Sequence, residues 1–231
     1  MIIKRVVVFC FLLLVFLAVK AQGKYSTGVL PQINLNLTLP NNWRLNTKVE
    51  SRQIFSEGKF KQQFKTAYKY DLTDVAMIAS KKTGVNNSLG AGYMIRFRNN
   101  EVIHRFIQQY SIVKKYNLFR FGQRFSADET IRKNSPVQVR LRYRIGIEKA
   151  LNGKDVDSKE FYLKLNNEYL FSFEGKETDV EIRLIPALGY AFNDNNKFEL
   201  GIDYRVSEFK SGISRNQFWL YLGWFISCCN N

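Results

Sequence analysis

Histidine occurs once and cysteine three times in 231 residues, which is too few for a closed His/Cys zinc site. Acidic residues are also scarce, 20 against 35 basic ones, so the formal charge is +15. Proline is found only four times, and no linker, repeat array or low-complexity tract interrupts the chain. Beyond residue 21 no apolar run reaches the roughly 18 residues that would suggest a transmembrane helix. Helical periodicity is nearly missing as well. What is present is 45% apolar sequence with 15% aromatic residues, which excludes a disordered polyelectrolyte. The length suits one domain or a single closed sheet.

The first residues read as an address. Met1 to Arg5 form a short cationic start, Val6 to Val19 are uninterrupted apolar sequence, and Val19-Lys20-Ala21 precede Gln22. That order describes a secretory signal peptide, so residues 1–21 are expected to be removed and 22–231 to form one domain. Cys10 leaves with the leader, and the mature chain keeps a charge of +12. Its remaining cysteines, Cys228 and Cys229, are adjacent, a poor geometry for a mutual disulfide.

From about Ile33 onward, apolar and polar residues alternate between short turns. Val137, Val139, Leu141, Tyr143, Ile145 and Ile147 fall on one face, and Gln138, Arg140, Arg142, Arg144, Gly146 and Glu148 on the other. A strand sends successive side chains to opposite faces, so each such segment has one greasy and one charged side. The same design recurs with Phe161, Leu163 and Leu165 opposing Tyr162, Lys164 and Asn166, and with Phe218, Leu220 and Leu222 opposing Gln217, Trp219 and Tyr221. Asn99-Asn100, Asn152-Gly153, Glu174-Gly175 and Asn193 to Asn196 supply turn residues. Connections this short leave no room for crossover helices, which implies an antiparallel meander.

Alternation does not by itself say which face is buried. A soluble, lipocalin-like binding barrel would turn the greasy face inward, and a membrane barrel would turn it outward. Strand length favours the membrane: segments of about 11–13 residues exceed the usual 5–6, and eleven residues tilted near 40° rise about 28 Å, close to the apolar band of an outer membrane. Aromatics near the segment ends, Phe161, Tyr169, Phe171, Phe173, Tyr190, Phe192, Tyr204 and Trp224, fit interfacial girdles. The expected fold is therefore an all-β, up-and-down transmembrane barrel. Segments fall near 31–39, 42–54, 60–70, 74–81, 88–98, 102–113, 117–126, 136–148, 160–173, 179–192, 197–207 and 215–226. That makes twelve strands, with ten if 60–81 is one bent strand and 31–39 stays outside. An even number returns both termini to the periplasmic side. Pro186 lies mid-segment, where a missing N–H marks a bulge or an edge.

Leu89-Gly-Ala-Gly-Tyr93, His104-Arg-Phe-Ile-Gln-Gln-Tyr110, Arg140-Leu-Arg-Tyr-Arg144, Phe161 to Glu168 and Phe218 to Phe225 resemble a bacterial family filed as domain of unknown function 2490. The resemblance covers most of the mature chain. It implies a small outer-membrane β-barrel and brings no activity, cofactor or catalytic residue. The last segment also resembles the aromatic-ended signal read by barrel-assembly machinery, except that Ser227 to Asn231 follow Phe225.

The presumed inner face carries Arg44, Lys48, Arg52, Lys65, Lys69, Arg96, Arg98, Arg120, Arg124, Arg140, Arg142, Arg144, Lys164, Arg183 and Arg205. Only Glu50, Glu148, Glu168, Glu181, Glu199 and Asp203 oppose them. Like charges repel strongly at low dielectric, so water, counter-ions or small anionic solutes must compensate. Two functions follow: a narrow anion-preferring pore with Arg140, Arg142 and Arg144 as its densest ladder, or a structural barrel rigidified by an Arg–Glu network. Surplus charge near the rims would face the phosphates of outer-membrane lipids and lipopolysaccharide. No metal or cofactor is implied, and export argues against nucleic acid. A third class, a lipid hydrolase, would have to use His104 as base, with Ser111 or Ser126 as nucleophile and Glu101 as orienting acid. No motif supports that constellation.

Overall fold

The computed structural model describes residues 23–60, 62 and 66–229. The leader assigned to residues 1–21, and Lys65 of the expected inner face, lie outside the described residues. Eleven strands follow one another: β1 (Gly23–Leu39), β2 (Trp43–Lys59), β3 (Thr66–Lys82), β4 (Asn87–Arg98), β5 (Glu101–Lys115), β6 (Arg120–Ile131), β7 (Gln138–Ala150), β8 (Glu160–Glu174), β9 (Glu177–Asn193), β10 (Asn196–Ser207) and β11 (Ser214–Cys229). They close into a barrel in which each strand pairs with its sequence neighbours and β11 returns to β1.

The count corrects the expectation of twelve or ten. Segments 60–70 and 74–81 are one strand, β3, paired with β2 from Trp43↔Lys81 to Ser56↔Thr66. An extra residue sits where Arg52↔Leu72 gives way to Gln53↔Tyr70, so adjacent Asp71 and Leu72 both line the interior. A bulge of this kind switches the phase of the alternation, and in the sequence that switch looks like a boundary. The odd number also overturns the expected placing of the termini. β1 and β11 are parallel, from Gly23↔Ser214 to Thr38↔Cys229, so the described chain starts at one rim and finishes at the other. These are called the N-terminal and C-terminal rims below.

Direct neighbours traced from Leu39 through Trp43, Lys81, Leu89, Tyr110, Phe125, Tyr143, Tyr169, Ile182, Val206 and Asn216 return to β1 at Tyr25, 14 residues from the start. With about 3.3 Å per residue and about 4.8 Å between strands, that stagger over eleven strands sets a tilt of about 40°. Turn chemistry fixes the register locally. Asn99 and Asn100 both take positive φ, 50° and 60°, the pairing a two-residue type I′ hairpin requires. Gly175, at φ 57°, opens the equally tight turn between β8 and β9.

The greasy faces point outward. Leu141 and Leu163 are 48% and 49% exposed, and Phe106, Leu188, Leu200, Ile202 and Leu220 are exposed too, the reverse of the lipocalin-like arrangement. Inside, Leu30, Ile54, Ala187, Trp219 and Tyr221 form one apolar cluster, and Ala76, Met94 and Ile107 a smaller one. The Tyr162 ring lies flat over Gly189, its register partner, where an added Cβ would sit 2.1 Å from the ring. Pro186 faces outward within β9, and the β9–β10 ladder opens beside it: Gly201↔Ala187 is followed by Tyr204↔Leu184, with no pairing recorded between.

A charged lumen as the candidate functional site

A cavity of about 670 Å³ runs through the interior, lined near the C-terminal rim by Arg44 and Ser80 and near the N-terminal rim by Asp179, Glu208 and Arg215. Strand alternation brings charge to it. Of the residues singled out in the sequence, Arg44, Lys48, Glu50, Arg52, Arg96, Arg98, Arg124, Arg140, Arg142, Arg144, Lys164, Glu181, Arg183, Asp203 and Arg205 all line it. Glu168 and Glu199 are buried beside them. Arg120 and Glu148 pair at 3.6 Å near the C-terminal rim, and Lys69 pairs with Glu57 at an exposed position.

The basic surplus is smaller than the sequence suggested. Asp71, Asp74, Asp179 and Glu208 also line the cavity, as do Arg105 and Arg215, and Asp128 is buried against it at 1% exposure. Asp128 was missed because β6 extends past residue 126 and because outward-facing Glu129 blurs the alternation there. Arg105 was missed because β5 mixes its faces: Ile103 and Ile107 share the inner side with it, while His104 and Gln108 face out. For Asp128 the available signal was the period-2 continuation from Arg124 through Ser126.

Nearly all of this charge is tied in local pairs. Asp74 takes a bidentate pair from Arg96, both bonds 2.7 Å. Glu50 accepts from Lys48 at 2.9 Å and from Arg52 at 2.6 Å. Asp203 binds Arg205 through two bonds of 2.9 and 2.6 Å. Asp128 gathers three guanidiniums: Arg140 at 2.7 Å, Arg105 at 3.4 Å and Arg142 in closer contact still. Glu199 receives the Lys164 ammonium at 2.6 Å and hydroxyls from Tyr162 and Tyr221, each at 3.0 Å. Fork-shaped arginine contacts of this kind are strong and geometrically selective.

One register row stands apart. Arg205, Arg183, Glu168, Arg144 and Arg124 are successive direct neighbours across β10 to β6. Like charges directly opposite one another destabilise a sheet. Arg205 and Arg183 are relieved by their own carboxylates, Asp203 and Glu181. Glu168 serves Arg183 at 3.0 Å and Arg144 at 2.8 Å. Arg124 is left 3.9 Å from an oxygen that Arg144 already uses.

An apolar patch interrupts the charge where β11, β1 and β2 meet in the half toward the N-terminal rim. Trp219 is fully buried against Leu30 and Ile54, and the Arg52 guanidinium lies over its ring at 5.9 Å. On the outer face, Phe161, Tyr169, Phe171, Phe173, Tyr190, Phe192, Tyr204 and Trp224 all point away from the cavity. Tyr190 packs on Phe161 and Phe192 with ring centroids 4.7 and 5.0 Å apart, and Tyr204 stacks on Phe218 at 4.9 Å. His104 also faces outward, where its Nδ1 meets the Tyr93 hydroxyl. Ser126 lines the cavity, and Ser111 and Glu101 lie on the inner side of β5, so the geometry does not bring them to His104.

The model of a family described as protein of unknown function (DUF2490) matches residues 27–218. The chain belongs to this family. No curated protein and no solved structure matches it. The matched region takes in all of β2 to β10 and most of β1, so the charged lumen lies within the part that defines this DUF2490 member.

Proposed function

We propose that this DUF2490 protein is exported, spans the bacterial outer membrane as a barrel, and holds a narrow water-filled passage that prefers anions. The observation that carries the reading is a cavity lined by residues of both rims, with more guanidinium and ammonium groups than carboxylates along it. The outer surface supports the membrane setting. The shortest strands have 12 residues, which at a tilt near 40° rise about 30 Å, enough to cross a bilayer's apolar band. Lys81, Lys114 and Lys149 end outward-facing rows toward the C-terminal rim, where lipid and lipopolysaccharide phosphates would meet them. Delivery would use barrel-assembly machinery reading the aromatic β11.

The test is conductance in planar bilayers under a salt gradient. The expected result is small steps whose reversal potential has the sign of anion preference. Arg44, which lines one mouth and makes no ion pair among the described residues, is the position to alter: Arg44→Glu should shift the reversal potential toward zero. Membrane protein without conductance would favour the other reading, a barrel closed and stiffened by its ion pairs. That reading rests on the near-complete pairing of the charges. Release of the protein as soluble material would remove both.

A further inference from the structure

The geometry points to a binding site for a phosphate-like oxyanion on the β6–β7 wall, built on Arg124 and Arg144; it rests on the reading of the lumen as open to solutes. Arg124 and Arg144 are direct cross-strand neighbours and both line the cavity. Arg144 spends its Nε on Glu168, while Arg124 donates no hydrogen bond among the described residues and keeps its whole fork of donors. Two adjacent guanidiniums with one shared carboxylate carry an uncompensated positive charge, and a second anion between them would relieve their repulsion.

The sheet leaves room for that anion. One rung closer to the C-terminal rim, the inward positions of the same two strands are Gly122 and Gly146, again direct partners. A Cβ built on Gly122 would meet nothing nearer than the Gly146 carbonyl at 4.0 Å, so open space lies over it. Asn166 leans across Gly146, its Oδ1 2.7 Å from where a Cβ would be, which places an amide at the side of the recess. Inward rungs two residues apart are separated by about 7 Å along a strand, and the next rung beyond the glycines is the Arg120–Glu148 pair. Glycine inside a strand often marks close approach by a ligand or another backbone. Among the described residues no other backbone fills the space over Gly122. Fork-shaped donors match the oxygens of a tetrahedral anion better than they match a halide.

Inorganic phosphate is the probe, titrated into the purified barrel in detergent and followed by ³¹P line broadening, with chloride as competitor. Saturable binding that chloride displaces only weakly is the expected result. Arg124→Gln should weaken it by about tenfold or more, the scale of losing a charge-assisted fork. Gly122→Val keeps every charge, enters open space, and should weaken binding as much by filling the recess. It decides the matter if Arg124→Gln fails to fold. A wild-type barrel without saturable binding, or a folded Gly122→Val barrel that binds phosphate undiminished, overturns the site. Binding is read without current, so a conducting barrel that ignores phosphate sinks the site alone. A barrel that binds phosphate yet never conducts sinks the passage alone.

Discussion

Two stretches of the lumen wall solve the problem of an enclosed surface in opposite ways. Across β5 to β9 the inner face is filled with guanidiniums held on Asp128 and Glu168, both almost completely buried. Where β11, β1 and β2 meet in the half toward the N-terminal rim it is filled by Trp219, Leu30 and Ile54, with Tyr221 at the edge, while farther along β2 the Lys48, Glu50 and Arg52 cluster carries charge again. The charged wall is cohesive only while its carboxylates are present, since each of them neutralises two or three arginines that repel one another. The apolar patch needs no such partners and depends on volume. A fault in charge should therefore spread along the first stretch, whereas a fault in packing should stay local in the second.

The sharpest way to break the contrast is Asp128→Asn, which leaves Arg105, Arg140 and Arg142 facing one another without a counter-charge. Removing one member of a buried ion pair costs about 3–5 kcal/mol, so thermal unfolding in detergent, followed by the β-sheet circular dichroism, should show the largest loss here. Adding Arg105→Met, beside Met94 and Ile107, should recover part of it; no recovery would mean that repulsion is not the cause. Next comes Trp219→Ala, expected to cost about 3 kcal/mol through cavity formation and to leave anion preference in bilayers unchanged. The smallest effect belongs to Glu199→Gln, at the junction of the two stretches. The amide still accepts from Tyr162 or Tyr221 but forfeits the Lys164 pair, a loss of about 1–2 kcal/mol.

How much of this was legible beforehand differs by region in the same way. Where a strand alternates cleanly, as in Val137 to Glu148, the sequence told both the fold and the direction of each side chain. Trp219 and Tyr221 fell on the inner face for the same reason, although their apolar character argued the other way. Reading failed where the two faces resemble each other. Ile103 and Ile107 inside with His104 and Gln108 outside hid Arg105, and the bulge at Asp71 and Leu72 turned one strand into two. Ion pairing itself was not readable, because partners such as Asp128 and Arg105 are joined only by the registers of β5, β6 and β7. Arg124 was visible as a lumen residue, but only the structure shows that it donates no hydrogen bond among the described residues.

The seam between the first and last strands bears on how the molecule can form. The parallel seam joins Gly23 to Ser214 and onward to Thr38 with Cys229, segments separated by 191 residues. Such distant contacts form late because the chain between them must already be ordered. Closure therefore waits for the sixteen residues of β11 to be made, and a chain cut short before β11 would be left an open, sticky sheet with two unpaired margins.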